Sequence, residues 1–153
     1  MSAIIPIFNA IAAKPVTVNS ITPTVYGLGV LPDAVSPAQL PCRLLLPIGS
    51  KTAVTAGQFL GFGTAVTINW RVTDLMLWAT AVAGAGIHDY AQTLVQYAGV
   101  YVDMLRTIRA PAPITRLTNW QILPGRFQYP LNSGRWFFGV ECTIDLQELL
   151  SGA

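Results

Sequence analysis

Proline divides this chain more sharply than any other residue. Seven of the eleven prolines fall within residues 1–47, none within 48–110 and four within 111–130. Proline lacks the backbone N–H and clashes with a preceding helical turn, so it is confined to helix starts, turns, extended runs and sheet edges. Long regular elements are therefore predicted for the middle and end of the chain. The first third is predicted to be extended and irregular after a short opening helix. That helix is read over residues 3–13, where Ile4, Phe8 and Ile11 share a face and Pro6 is tolerable near the start. Residues 15–41 have no helical period and read as a Pro-rich arm laid over a surface or over a neighbour.

Periodicity supplies the rest. Residues 42–48 read as a first strand, which Pro47 places at an edge or an end. Residues 49–63 carry four glycines and read as a long hairpin loop. In residues 64–73, Val66, Ile68, Trp70 and Val72 alternate with Ala65, Thr67, Asn69 and Arg71, the mark of a half-buried antiparallel strand. Residues 74–86 read as a turn or short helix. A long helix follows, opened by an Asp89/Gln92 capping box, with Ala91, Leu94, Val95, Ala98, Val102 and Leu105 as its apolar stripe, and closed by Ala-Pro-Ala-Pro at 110–113. Residues 114–123 read as a strand and 124–134 as an aromatic, turn-rich connection. In the last strand, 135–146, Trp136, Phe138, Val140, Cys142, Ile144 and Leu146 are predicted to face the core, and Arg135, Phe137, Gly139, Glu141, Thr143 and Asp145 to face outward. The expected fold is a single α+β domain over 1–153: a mixed, mainly antiparallel sheet of about four strands, a long helix on one face and a short N-terminal helix, in α-β-β-α-β-β order.

Charge restricts the function. Charged residues make up 10% of the chain and hydrophobic residues 52%, with mean hydropathy +0.50; a soluble domain ordinarily carries about 25% charged residues. A net charge of +2 with two lysines argues against nucleic-acid binding as the main task. The longest uncharged stretches, 15–32 and 52–70, are broken by prolines, glycines and polar residues, so no spanning helix is expected. The N-terminus has no basic region, and no signal peptide is expected. Cys42 and Cys142 stand far apart and read as reduced, buried thiols of a protein made in the cytosol.

No pattern of catalysis emerges. His88 is the only histidine and reads as a helix-start residue. Gly49-Ser50-Lys51-Thr52 has a serine where a phosphate loop places glycine directly before lysine, and Pro47 interrupts it. Glu141 and Asp145 share one strand face about 13 Å apart, beyond the roughly 5–9.5 Å of a glycosidase pair. No enzyme activity, cofactor or metal is expected. The remaining candidates form an interaction surface: Phe59 and Phe62 in the glycine-rich loop, Arg126, Phe127 and Tyr129 in the 124–134 connection, and Arg135 and Phe137 on the last strand. The alternative for these residues is that they cover one end of their own sheet.

The order of elements resembles the tail-terminator and tail-completion proteins of long-tailed bacteriophages. Carrying the resemblance are the short helix and the extended Leu31-Pro32-Asp33 to Gln39-Leu40-Pro41 approach, the run Trp70–Leu77, the helix containing Leu94–Tyr97 and Tyr101–Leu105, and the terminal Gly139–Ile144 strand. The resemblance is one of layout over nearly the whole chain. It implies a non-enzymatic virion subunit, assembled in the host cytoplasm. Copies would form a ring, commonly of six, at the head-proximal end of the tail tube. The ring would end tube polymerisation and join the tail to the neck. The implied partners are the chain itself, the tail tube protein and a neck or head-completion protein, with DNA only as passing cargo in the lumen and no membrane. Another neck, head-completion or baseplate ring protein shares this layout and is the alternative. The arm at 15–41 would then lie along a neighbour, the 49–63 hairpin and 124–134 connection would be working surfaces, and Arg116, Arg126 and Arg135 would approach the lumen.

Overall fold

A computed structural model describes residues 4–46, 53–59, 66–82, 84, 86–109 and 114–150. The elements follow in the order α1 (Ile4–Ala12), β1 (Thr24–Tyr26), β2 (Cys42–Leu46), β3 (Ala53–Phe59), β4 (Val66–Thr80), α2 (Ala91–Thr107), β5 (Ile114–Gln128) and β6 (Trp136–Leu150). The expected α+β class is what forms: a mixed sheet with one long and one short helix. The sheet has six strands, in the order β1-β2-β4-β6-β5. β1 runs parallel to β2, and every other pairing is antiparallel. β2 and β3 both pair with the same side of β4, one after the other: Cys42–Leu46 lie opposite Thr73–Leu77, and Ala53–Phe59 opposite Val66–Arg71.

Four elements exceed their sequence boundaries, one of them β6, which runs on from the expected residue 146 to Leu150. Residues 53–59, expected within a loop, form β3. β4 continues through Leu75-Met76-Leu77-Trp78-Ala79-Thr80, expected as a turn or short helix. Alternation fails there because both faces of that stretch are covered. Leu75 and Leu77 are buried in one apolar cluster and Met76 in another, so the segment reads as a continuous apolar run. β5 extends to Gln128 through Pro124 and Gly125. It is the last strand of the sheet, and an edge strand tolerates a proline whose missing N–H would face away from the ladder.

The larger core lies between the sheet and the helices. Ile4, Ile7, Phe8 and Ile11 of α1, spaced as one helical face, pack with Leu45, Val72, Met76, Phe138, Val140, Cys142, Ile144 and Leu146. From α2 the buried residues are Leu94, Tyr97, Tyr101 and Met104. The expected stripe is thus rotated: Val95 is exposed and Val102 and Leu105 only partly buried. Two tyrosines displace the valines because their rings fill the space over the sheet and the Tyr101 hydroxyl finds an acceptor beneath. The cap also differs. Asp89 accepts from Gly86 N–H (3.1 Å) within a short 3-10 turn, Ile87–Asp89, and α2 itself begins after Tyr90 without a side-chain cap.

A second, smaller core occupies the opposite face. Val35 of the arm is buried there with Cys42, Leu44, Leu75, Leu77 and Phe137, flanked by Tyr26, Leu31, Leu40, Leu46, Phe127 and Tyr129. The Tyr129 hydroxyl donates to the Pro32 carbonyl (2.5 Å), fastening the arm to the end of β5. In this structure the arm packs on its own sheet, the first of the two alternatives. Residue Phe137 is therefore corrected: it faces away from the helices as its register requires, but that face is roofed by the arm and it is 1% exposed. Trp136, expected in the core, is 41% exposed because it stands at the strand's start, past the helical cover. Phe138→Ala is expected to cost about 3–5 kcal/mol and Trp136→Ala clearly less, measured by urea denaturation. Equal losses would mean that Trp136 is covered.

Cys42 and Cys142 are free and buried, as expected. Burial pushes the Cys42 thiol up to about 12 and raises Cys142 well above its ordinary value. Burial first, and the Asp74 charge second, likewise raise Tyr97 and Tyr101. Each of these groups loses its proton more readily in the unfolded chain. Stability is therefore held below the ordinary thiol value of 9.0 and falls as pH rises from there towards 12. The slope is about 1.4 kcal/mol per pH unit for each group involved. Denaturation midpoints measured from pH 7 to 11 should show this decline; a flat profile above pH 9 would contradict it.

Candidate interaction surface

The densest polar chemistry among the described residues is internal. Arg43 and Asp74 project from β2 and β4 towards the helices, and both are 0% exposed. The Arg43 Nη2–H donates to Asp74 Oδ2 (2.5 Å), and the Tyr101 hydroxyl donates to the same oxygen (2.8 Å). Arg43 Nη1–H also donates to the Lys14 carbonyl (2.7 Å), and the guanidinium lies 5.7 Å from the Tyr101 ring centre. Burial works against the Arg43 charge, but the adjacent Asp74 overrides it and holds the proton more tightly than in a free arginine. One ion pair thus ties the chain just after α1 to β2, β4 and α2. It is sealed from solvent, and no grouping of His, Cys, Asp and Glu able to hold a metal occurs among the described residues. The cluster is a structural tie, closed to solvent on both charged partners.

The outer surface carries the remaining candidates, which the β5–β6 hairpin divides between two faces. Arg126 sits opposite Phe138 in the ladder, and Phe127 opposite Phe137, so the two neighbours project to opposite sides of the sheet. Arg126 is exposed and its guanidinium lies 5.3 Å from the Trp136 ring centre, an arginine–aromatic stack open to solvent. Phe127 and Tyr129 are half-buried against the arm-covered core, and Arg135 is exposed. Phe59 belongs to β3, whose backbone alone is described, and Phe62 lies outside the described residues.

Exposed apolar side chains that the sequence did not single out run along β5. Leu117 and Trp120 stand on the helix-side face, opposite Leu146 and Ile144; Leu123 stands on the other, opposite Glu141. Trp120 is 47% exposed, with Leu117 and Leu123 similar. β5 contains no lysine and no acidic residue. The signal was present in the sequence as poor alternation, because bulges at Ile114/Arg116 and Leu117/Asn119 shift the register.

Beyond the arm, the second face of the sheet is polar and, among the described residues, partly open. Asn69 and Arg71 of β4 stand opposite Gln147 and Asp145 of β6, and the buried Thr73 opposite the partly buried Thr143. Arg71 Nε–H donates to Asp145 (2.8 Å), neutralising both charges, and Gln147 Nε2–H donates to Asn69 (3.4 Å). Arg43, Asp74, Glu141 and Glu148 are meanwhile buried, so a small stock of charge leaves still less for the exterior. No helix among the described residues is long and apolar enough to cross a membrane. No family model matches the chain, and neither a curated protein nor a solved structure is found to match it.

Proposed function

We propose that this chain is a structural subunit of a phage virion, forming a ring at the head-proximal end of the tail tube that ends tube polymerisation and joins the tail to the neck. The observation that carries the reading is the open side of the sheet, where Leu117, Trp120 and Leu123 stand exposed along one strand without lysine or acidic neighbours in it. Apolar side chains gathered along an edge mark a surface that meets protein.

The polar face supports the same reading. Among the described residues it carries Asn69, Gln147 and Thr143 with the Arg71–Asp145 pair, and Arg116 at the register position opposite Gln147; so few cations give DNA little to bind, which suits a lumen that DNA traverses. The station on the virion is taken from the resemblance in layout between this sequence and the tail-terminator proteins. In this reading the chain acts without enzymatic chemistry or cofactor, and its partners are its own copies, the tail tube protein and a neck protein.

The test is light scattering on the purified chain, with negative-stain images of the chain alone and mixed with tail tubes. The expected result is a discrete closed ring, of six copies by the resemblance, bound at one end of each tube. A chain that stays monomeric at high concentration and ignores tube ends would overturn the reading.

A further inference from the structure

We infer that copies of this chain join edge to edge, the outer edge of β5 in one copy pairing antiparallel with the outer edge of β3 in the next. The inference rests on the assembly reading above and names its seam. Among the described residues, β5 pairs only with β6 and β3 only with β4. Each therefore presents a row of unpaired backbone N–H and C=O groups, and an open edge is a template for another strand. β1, the remaining edge, is three residues long and offers little.

Strand direction selects the pair. Along β3-β4-β6-β5 each strand is antiparallel to its neighbour, so β3 and β5 point in opposite directions at the two sides of the sheet. Setting β5 of one copy beside β3 of the next continues the alternation without a break. It also keeps the helix-covered face on one side and the polar face on the other through every seam. Length agrees as well. The β5 register runs without a shift from Asn119 to Gln128, interrupted only by Pro124, and that stretch is long enough for the seven residues of β3, which carry one register shift at Ala56/Gln58. The bulges before Asn119 restrict pairing to this stretch and blunt the rest of the edge. Such a contact is head-to-tail: every copy uses one edge and offers the other, so the assembly grows until its rotation closes a ring. Burying Trp120 and Leu123 at the seam accounts for their exposure on the single chain.

The experiment uses single and paired cysteines in the full chain with a short bismaleimide cross-linker. Cys42 and Cys142 are buried and do not compete under brief labelling. Position 121 of β5 and position 55 of β3 carry the probes, as Gln121→Cys and Thr55→Cys, in variants whose unfolding midpoint matches the parent. The expected result is no dimer from either single variant and a ladder of multimers from the double variant. A dimer from Gln121→Cys alone would show a two-fold β5–β5 contact and overturn the inference. So would a ring, seen by light scattering, in which the double variant gives no ladder. A monomer in every sample would overturn the assembly reading itself. As a second readout, Leu123→Lys is expected to abolish assembly without lowering the unfolding midpoint; intact rings in that variant would count against the seam.

Discussion

Replacing Asp74 by alanine is expected to destabilise the domain by about 3–5 kcal/mol, because it leaves the Arg43 guanidinium buried without its counter-charge. The same substitution strips the Tyr101 hydroxyl of its acceptor. Arg43 is 0% exposed, and the hydrogen bonds it keeps, to the Lys14 and Ile11 carbonyls, reach uncharged acceptors. Urea denaturation of the single variant measures the loss. The pair Arg43→Met with Asp74→Leu removes both charges and keeps the volume, and should recover most of it, since a buried ion pair replaced by apolar side chains is often neutral. A single variant as stable as the parent would show that water reaches the site. A double variant as unstable as the single one would show that the hydrogen bonds to the α1 end and Tyr101, rather than the unpaired charge, hold the region together.

Gly139→Val is expected to cost about 3 kcal/mol or more, at the upper end of what overpacking does. Any Cβ at Gly139 would collide with the Met76 carbonyl oxygen and come within 3.2 Å of the Leu77 Cα. Both obstacles are backbone of the adjacent strand, so relief requires β4 and β6 to separate at the centre of the sheet. The control lies directly opposite in the ladder: Gly125, in the edge strand β5, meets only the Phe127 ring, 3.6 Å away. Gly125→Ala should be tolerated. Equal behaviour of the two glycines in thermal melts would contradict the close approach.

The parts of this fold that a sequence reveals are those covered on one side only. Ile68–Val72 and Cys142–Leu146 alternate because a core lies on one face and a polar, partly open surface on the other. Leu75–Thr80 lost its alternation to cover on both faces, and so looked like a turn. The arm's role was the less legible for the same reason. Nothing in residues 27–40 states which surface they cover, and without that knowledge Phe137 looks exposed. The tyrosines of α2 were passed over because a stripe of valines and leucines fits helical spacing equally well. Only the acceptor contributed by Asp74, across the sheet, favours Tyr101. Of the candidate surface, Arg126 and Arg135 were legible as exposed, whereas Trp120 was concealed by two bulges.

The centre of the sheet also sets an order of events. The β4–β6 ladder joins Thr80 to Phe137 at one end and Val66 to Leu150 at the other. Between them in sequence lie the whole of α2 and β5. No local hairpin can stand in for this ladder, and contacts so distant along a chain form slowly. During synthesis β4 can pair with β2 and β3 on one side as soon as it is made, but its other side, along Val66–Thr80, stays without a partner until β6 has left the ribosome. Folding is governed by the arrival of one late strand, and the interval before it is when the chain most needs to be kept from its own copies.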